Sequence, residues 1–263
     1  RKVSSAASDV YKRQLKYPEN ELLGIDIVIP DFSYLVENKD RIVGVFLTHG
    51  HADAIGALPY FLKEIEVPVF GSEMTIALAK ITVNDDPDLR KFKNFHVVDE
   101  KKEIDFGDVT VSFFKTTHTI PDSLGIVLDC DEGRIVYTGD FKFDQTATDG
   151  YATDFGRLAQ IGTKKVIALL SDSANAENFE RPSNETEIAA SIGEIIKYHE
   201  GRVVVASVAS NILRIQQVID AAVQSGRKVV LTGHDLEKIV NTAIKLNKIN
   251  IPDDDLIVPL NKL

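Results

Sequence analysis

The feature that most constrains the fold of this chain is a continuous apolar segment, residues 42–47, that runs directly into the polar residues 48–53. Apolar residues without polar alternation predict a strand buried on both faces. His49, His51 and Asp53 then follow at intervals of two, so their side chains share one side if the extended geometry persists. The pattern predicts metal ligands at a strand end, a usual place for reactive groups. The alternative is a polar loop that caps the next helix, with Asp53 as the N-cap residue.

Two later segments support the metal-binding interpretation. His118 lies at the end of a second predicted strand, and Asp140 follows Gly139 at the end of a third. A histidine that stands alone in a sequence is more often structural than a ligand. Neutral imidazole and carboxylate groups at three strand ends, however, form a set of the kind that Zn²⁺ or Mn²⁺ prefers.

The pattern of apolar residues predicts an α/β protein in two parts. In the first part we expect strands at residues 25–29, 42–47, 67–70, 109–116, 124–130, 134–138 and 166–170, and helices at 55–65, 72–81 and 154–161. In the second part, helices at residues 185–199, 211–224 and 236–246 alternate with strands at 202–206 and 228–231, which predicts a parallel sheet. A polar stretch containing Pro182 separates them, so we predict domains at residues 15–182 and 183–263.

The bulk composition is that of an ordinary globular protein. Of 263 residues, 44% are hydrophobic, and no apolar run approaches the roughly 18 to 20 residues that a membrane span needs. The net charge of −10 argues against a surface that binds nucleic acid everywhere, although a local basic groove is compatible with it. The single cysteine, Cys130, cannot form an internal disulfide, so we expect a reducing cytoplasm.

The two ends differ from the rest of the chain. Residues 1–14 have neither helical nor strand periodicity and resemble translated sequencing-adapter sequence, so we exclude them as a non-native or disordered tail. Residues 257–263 stop as a new apolar segment begins. We expect the chain to be a fragment of a longer protein.

The order T-H-G-H-x-D, then His118, then Gly139-Asp140 resembles the metallo-β-lactamase superfamily, whose fold is an αββα sandwich. Residues 169–177 and 209–217 are similar to its β-CASP branch, and specifically to ribonuclease J; residues 22–34 and 56–60 also resemble that family. The likeness covers about residues 15–263. It implies an incomplete metallo-β-lactamase sandwich followed by a partial β-CASP α/β domain with a parallel sheet.

The resemblance also implies roles for individual residues. In that family two metal ions lie between the strand-end loops. The ligand set carried over to this chain is His49, His51 and His118 for the first ion, Asp140 bridging both ions, and Asp53 for the second ion. Asp53 would also orient the attacking water, and Asp53, His118 and Asp172 are the predicted catalytic residues. Ser210, Asn211 and Arg214 would face RNA; their alternative is an ordinary helix start with Ser210 as N-cap.

Three positions depart from the family pattern. Ala54 replaces a histidine that ligates the second ion, Ala52 replaces a usual glutamate, and Leu213 lies where a histidine is usual. A further ligand of the family lies beyond the β-CASP insertion, and an early aspartate would lie near or before Leu15. We therefore expect one ion, Zn²⁺ or Mn²⁺, rather than two, and weak activity, as in the second ribonuclease J paralogue of bacteria that carry two.

The resemblance predicts metal-dependent hydrolysis of RNA phosphodiester bonds, endonucleolytic or from the 5′ end, in RNA maturation and decay, including rRNA processing. The expected partners are RNA and either further copies of the chain or a ribonuclease J paralogue, with no membrane. The first alternative is a non-catalytic RNA-binding partner subunit of an active ribonuclease J, which Ala54 and Leu213 favour. The second is a small-molecule metallohydrolase, against which residues 171–177 argue.

Overall fold

The computed structural model describes residues 24–144, 146–147, 150–174, 176–177, 184–253 and 255–262. The predictions for the tail at residues 1–14, for Asn175 and for the boundary at Pro182 lie outside the described residues. Helices and strands alternate along the described chain, and the strands form two sheets that pack against each other.

From residue 184 onward the regular elements of the described chain are helices, and further helices lie among the strands of the first part. Three of the helices begin at a polar side chain that accepts a backbone hydrogen bond: Asp154, Asn184 and Asn211 each accept from the N–H group three residues ahead. The α-helices of the described part are α1 Ser33–Glu37, α2 Ala52–Ile55, α3 Leu58–Glu64, α4 Glu73–Asn84, α5 Phe155–Gly162, α6 Glu185–Tyr198, α7 Ile212–Gln224 and α8 His234–Lys245. Short 3₁₀ helices lie at Lys39–Arg41, Pro87–Leu89 and Leu260–Lys262.

The strands belong to the first part of the chain. They are β1 Val45–Phe46, β2 Val69–Gly71, β3 Phe95–Val97, β4 Glu103–Asp105, β5 Val109–Lys115, β6 Leu124–Cys130, β7 Gly133–Tyr137 and β8 Val166–Leu170. The first three form a parallel sheet in the order β1-β2-β3. The other five form a second sheet in sequence order, antiparallel except for the final parallel pair β7 and β8. A tight turn at residues 131–132 joins β6 to β7 as a hairpin.

The layers follow the αββα order predicted from the resemblance. A buried cluster between the sheets joins Phe46 and Phe70 of the first sheet to Phe113 of the second. On the outer face of the second sheet, Ile161 of α5 packs with Val127 and other strand residues. On the outer face of the first sheet lies the largest cluster, formed by α2, α3 and α4 together with α7 and α8. The C-terminal part therefore packs on the helical layer next to the first sheet.

Several local predictions are wrong, each for a physical reason. Residues 25–29 form only a single bridge at Val28 rather than a strand. The predicted helix at residues 55–65 is two helices, because Pro59 has no N–H group for a bond in the middle of a helix and instead lies in the first turn of α3. Strand β8 forms as predicted but its side chains are exposed: Leu169 is 64% exposed, and among the described residues this edge strand pairs with β7 alone.

The predicted strands of the second part are also wrong in the described residues. Residues 202–206 adopt no strand, and Val204 is 84% exposed. Residues 228–231 contribute one isolated parallel bridge, between Val229 and Ile257. A strand exists only where a neighbouring backbone accepts its hydrogen bonds, and apolar character alone does not supply that neighbour. The β-CASP-like part is thus represented by its helices.

Candidate metal centre

His49 is the most buried of the predicted ligands. Strand β1 ends two residues before Thr48, and Gly50 follows the histidine under α4, where an added Cβ would lie 2.7 Å from Leu78 Cδ1. The His49 ring is 2% exposed, and its Nδ1 atom lies 3.0 Å from Thr48 Oγ1. Its Nε2 atom is buried and has no hydrogen-bond partner among the described residues. A buried, unpaired polar atom is costly, and a metal ion would supply the missing partner.

The three histidines converge from two separate loops. The ring centroids of His49 and His118 are 4.8 Å apart, those of His51 and His118 are 4.9 Å apart, and those of His49 and His51 are 5.1 Å apart. One ligand nitrogen from each ring lies within 4.8 Å of the other two. The structure therefore brings together the three imidazoles that the sequence assigned to the first ion.

The environment keeps these imidazoles neutral. Burial lowers the pKa of His49 well below its ordinary value, and the neighbouring His118 and His51 lower it further. The pKa of His118 falls to about 4, mainly through burial and then through His51. Burial also lowers the pKa of His51, with Asp53 opposing the shift. Neutral imidazole is the metal-binding form, so the lone pairs are available at neutral pH.

Two carboxylates complete a second group of ligands around His49. Oxygen atoms of Asp53 and Asp140 lie within 4.8 Å of each other and of a His49 nitrogen. Asp140 Oδ2 is 3.7 Å from His49 Nε2. Burial, together with the charges of Asp53 and Asp172, raises the pKa of Asp140 to about 6. The two groups share His49, and the ligands predicted for two ions therefore meet at one place.

Asp140 reaches this place because Gly139 packs against Thr48. Gly139 has φ +60°, and a Cβ there would lie 2.8 Å from Thr48 Cβ. Only glycine combines the left-handed backbone with so close an approach at little cost. The end of β7 is thereby held against the loop that carries His49.

Asp172 lies beside the centre after the end of β8. Its backbone N–H donates to Thr138 Oγ1 at 3.1 Å, and its Oδ1 atom accepts from Ala174 N at 2.8 Å. Its charge acts on both His118 and Asp140. A supporting carboxylate at this position agrees with the role that the resemblance implied, which stays a prediction.

Both ring nitrogens of His51 contact hydroxyl groups. Nδ1 lies 2.6 Å from Ser210 Oγ, and Nε2 lies 2.9 Å from Thr119 Oγ1. One of these contacts has to open before His51 can donate a lone pair to a metal ion. The first contact joins residues 159 positions apart and ties the C-terminal part to the metal-binding loop.

The three residues predicted to face RNA make contacts within the protein. Ser210 is buried against His51, and Asn211, rather than Ser210, is the N-cap of α7. Arg214 reaches Glu185 Oε2 at 3.5 Å and donates to Gln217 Oε1 at 2.6 Å. Ser210 therefore lies at the metal centre, whereas Arg214 belongs to a neighbouring network of charges. Their contact with RNA stays a prediction.

The three positions that depart from the family pattern lie near the metal-binding loops. Ala54 lies in α2 and packs against the largest buried cluster. Ala52 is exposed at the start of the same helix. The alternative role for Asp53 is excluded, because His51 is the N-cap of α2 and no side chain caps that helix. Leu213 donates its backbone N–H to Thr119 O at 3.2 Å, so its main chain touches the His118 loop.

A cleft of about 610 Å³ opens beside the metal-binding loop. It separates α2, α3 and α4 from residues 208–210 and α8, and its walls include Gly50, Ala52, Tyr60 and Ser210. The lining is more apolar than polar. The cleft thus lies at the junction between the two parts of the chain, next to the loop that carries His49 and His51.

Sequence reasoning missed four residues that shape the centre. Thr48 and Thr119 contact ligand histidines, and the signal was available, since each stands next to one of those histidines in the sequence. Lys142 and Glu185 form a partly buried ion pair beside the site, and the charge of Lys142 lowers the pKa of His118. No sequence pattern links these two residues, because 43 positions separate them.

Comparison with known proteins agrees with this geometry. Residues 19–176 match the family model described as the metallo-beta-lactamase superfamily. The chain belongs to the metallo-β-lactamase superfamily. Residues 200–263 match the model described as the ribonuclease J beta-CASP domain, which confirms the resemblance drawn from the motifs. Family membership and the cluster of histidines and aspartates together indicate that the chain binds metal.

Relatives in two bacterial genera carry the name Ribonuclease J 2. The protein of Streptococcus pyogenes serotype M3 is 57% identical over 244 residues, which make up 93% of this chain and 44% of the relative. The protein of Staphylococcus epidermidis is 45% identical over 249 residues, which make up 95% of this chain and 44% of the relative. The chain thus spans less than half the length of these relatives.

A solved structure supports the fold alone. A protein of unknown function from Enterococcus faecalis V583 superposes with a TM-score of 0.57 and 17% identity, over 83% of this chain and 55% of that chain. Among the described helices, none is both long and apolar enough to cross a membrane.

Proposed function

We propose that this chain carries the metal centre of a ribonuclease J-type hydrolase that cleaves RNA phosphodiester bonds, from the 5′ end or internally, in RNA maturation and decay. The observation that carries the proposal is the convergence of His49, His51 and His118 around an unpaired, buried Nε2 atom. The relatives named Ribonuclease J 2 and the β-CASP match at residues 200–263 support RNA over a small-molecule substrate.

The three histidines would hold one ion, Zn²⁺ or Mn²⁺, with Asp140 as the nearest carboxylate. When bound, the ion supplies Lewis-acid chemistry, which activates water and offsets negative charge on the phosphate. Asp53 lies beside Asp140 and can orient the attacking water. In the metal-free centre the pKa of Asp140 is raised to about 6, and a bound ion would favour the ionised carboxylate that serves as its ligand.

We propose that a second ion binds weakly or not at all. The second group of ligands borrows His49 from the first, and the remaining members are the two carboxylates Asp53 and Asp140. Ala54 offers no ligand and packs into the buried cluster. Because paired ions stabilise both the attacking and the leaving oxygen in phosphodiester cleavage, the loss of one ion predicts weak hydrolysis.

The missing second-ion ligand at Ala54 also favours a second candidate function. A chain with one ion could serve as an RNA-binding partner of an active ribonuclease J and contribute structure rather than chemistry. We also propose that the protein is cytoplasmic and that it assembles with itself or with a paralogue.

The experiment restores the missing ligand. In the full-length natural protein, Ala54→His is compared with wild type and with Ala159→His, which adds a histidine at an exposed site on α5. Wild type and Ala159→His should bind one tight Zn²⁺ or Mn²⁺ per chain, whereas Ala54→His should bind two and hydrolyse a 5′-monophosphorylated RNA faster. Two tight ions in wild type would refute the lost site. A second ion without faster hydrolysis in Ala54→His would favour the partner function.

A further inference from the structure

Two non-glycine residues of the described chain adopt the left-handed backbone conformation. One of them is a member of an ion pair, and the other directly precedes its partner. Asp122 has φ 60° and Asn247 has φ 56°. Next to Asn247, Lys248 places its Nζ atom 2.6 Å from Asp122 Oδ2. Asp and Asn are the non-glycine residues that adopt this conformation most readily, as single residues in turns and helix caps.

The direction of Lys248 is set by the end of α8. Asn247 N donates to Ile244 O at 3.0 Å, and Lys248 N donates to Ala243 O at 2.8 Å. This pair of bonds around a left-handed residue is a common helix C-cap. The Lys248 side chain is 22% exposed and also lies 3.5 Å from Glu73 Oε2 on α4. Its ammonium group therefore projects from a rigid helix end of the C-terminal part.

Asp122 belongs to the loop that carries His118. This loop, residues 116–123, closes on itself where Thr116 N donates to Ser123 O at 3.0 Å. Directly after it, Leu124 N donates to Thr48 O at 2.8 Å, beside His49. The Oδ2 atom of Asp122 is buried and accepts no hydrogen bond from any other described residue. Lys248 is thus the charged partner of this atom.

We propose that Lys248 is a positioning residue of the metal centre, which fixes the His118 loop through Asp122. The inference rests on the proposed function, since it concerns the same site. Two other contacts from the C-terminal part reach the same loops, one between Ser210 and His51 and one from Leu213 N to Thr119 O. Of these three contacts, that of Lys248 is the one made by a charged side chain. The lysine therefore links the position of α8 to the position of His118.

The test measures metal affinity in the full-length natural protein. Lys248→Met keeps most of the length of the side chain and removes its charge. We expect it to weaken Zn²⁺ binding about 10-fold in competition with a chromogenic chelator, which is the lower end of the loss that follows removal of a direct partner of a metal ligand. Amide hydrogen exchange of residues 116–123 in the metal-free protein should become faster. Lys248→Arg should recover most of both effects.

A matched control lies on α8, the helix that Lys248 follows. Lys238 pairs with Asp85 Oδ1 at 3.3 Å, so it also joins α8 to the first part, but at the end of α4 rather than at the His118 loop. Lys238→Met should leave Zn²⁺ affinity and exchange in residues 116–123 unchanged. Asp122→Asn should reproduce the loss of Lys248→Met, and the double variant should lose no more than either single one.

The outcomes separate this inference from the proposed function. Wild-type protein that binds Zn²⁺ while Lys248→Met binds it equally well would refute the positioning role alone. Equal weakening in Lys238→Met and Lys248→Met would also refute it, because the effect would then be general. Wild-type protein that binds no Zn²⁺ or Mn²⁺ would overturn the proposed function as well. If Lys248→Met does not fold, Asp122→Asn alone decides between these results.

Discussion

Replacing Gly139 by alanine should damage both the fold and the metal centre. The new Cβ would lie 2.8 Å from Thr48 Cβ, 3.0 Å from its Cγ2 atom and 3.1 Å from its Oγ1 atom. The left-handed backbone alone costs about 1 to 2 kcal/mol for a residue with a Cβ. Relief of the overlap adds about 1 to 3 kcal/mol, as in other overpacked sites. We therefore expect the free energy of unfolding to fall by roughly 2 to 5 kcal/mol.

Gly226 provides a closely matched control. It has φ +64°, against +60° for Gly139, but an added Cβ meets nothing within 4 Å. Gly226→Ala should therefore show the backbone cost alone. Urea unfolding of the metal-free protein, followed by circular dichroism, gives both values. Zn²⁺ titration then gives the effect on the centre, because Thr48 must shift and its hydroxyl group contacts His49.

The difference between the two alanine variants is the informative quantity. It should be about 1 to 3 kcal/mol and should shrink in the background of Thr48→Ala, which removes the Cγ2 and Oγ1 contacts. Equal destabilisation by Gly139→Ala and Gly226→Ala would show that the close approach to Thr48 does not matter. The account of how Asp140 is held beside His49 would then be wrong.

Other predictions concern pH and packing. Below pH 6.5 the unfolded chain binds protons at His49 and His118. In the folded metal-free protein the pKa of both histidines is lower, about 4 for His118, so they stay neutral to a lower pH. The free energy of unfolding should therefore fall as the pH drops from about 6.5 to 4. Asp140, with its pKa raised to about 6, opposes this trend, and His118→Gln should flatten the dependence of the urea midpoint on pH. Phe113→Ala should lower the free energy of unfolding by about 3 to 5 kcal/mol, because Phe113 is 1% exposed and lies between the sheets. Phe143→Ala should lower it little, because Phe143 is 62% exposed. Similar losses of stability in the two variants would contradict the assignment of the layers.

Much of the metal centre was predictable because its ligands follow local rules. His49, His51 and Asp53 stand at intervals of two after a strand, and His118 and Asp140 follow other strands. Strand ends of a sandwich meet along a common edge, so ligands placed there converge in space. The helices with polar N-caps, α5, α6 and α7, were predictable for the same reason, since a cap is a contact between neighbours in sequence.

Contacts between distant segments were decided by the tertiary structure. The apolar residues 202–206 were predicted as a strand, but strand formation depends on a neighbouring backbone, and none pairs with them in the described chain. The exposure of β8 likewise depends on which segments lie next to it, since in the described chain it pairs with β7 alone. Ser210 beside His51 and Lys248 beside Asp122 are contacts across more than 100 positions of sequence. The sequence by itself determined which residues can bind a metal ion, through local spacing and donor chemistry. Only the packing of the C-terminal helices on the helical layer beside the first sheet decided which side chains of that part lie next to those ligands, because burial and pairing depend on segments that no local pattern connects.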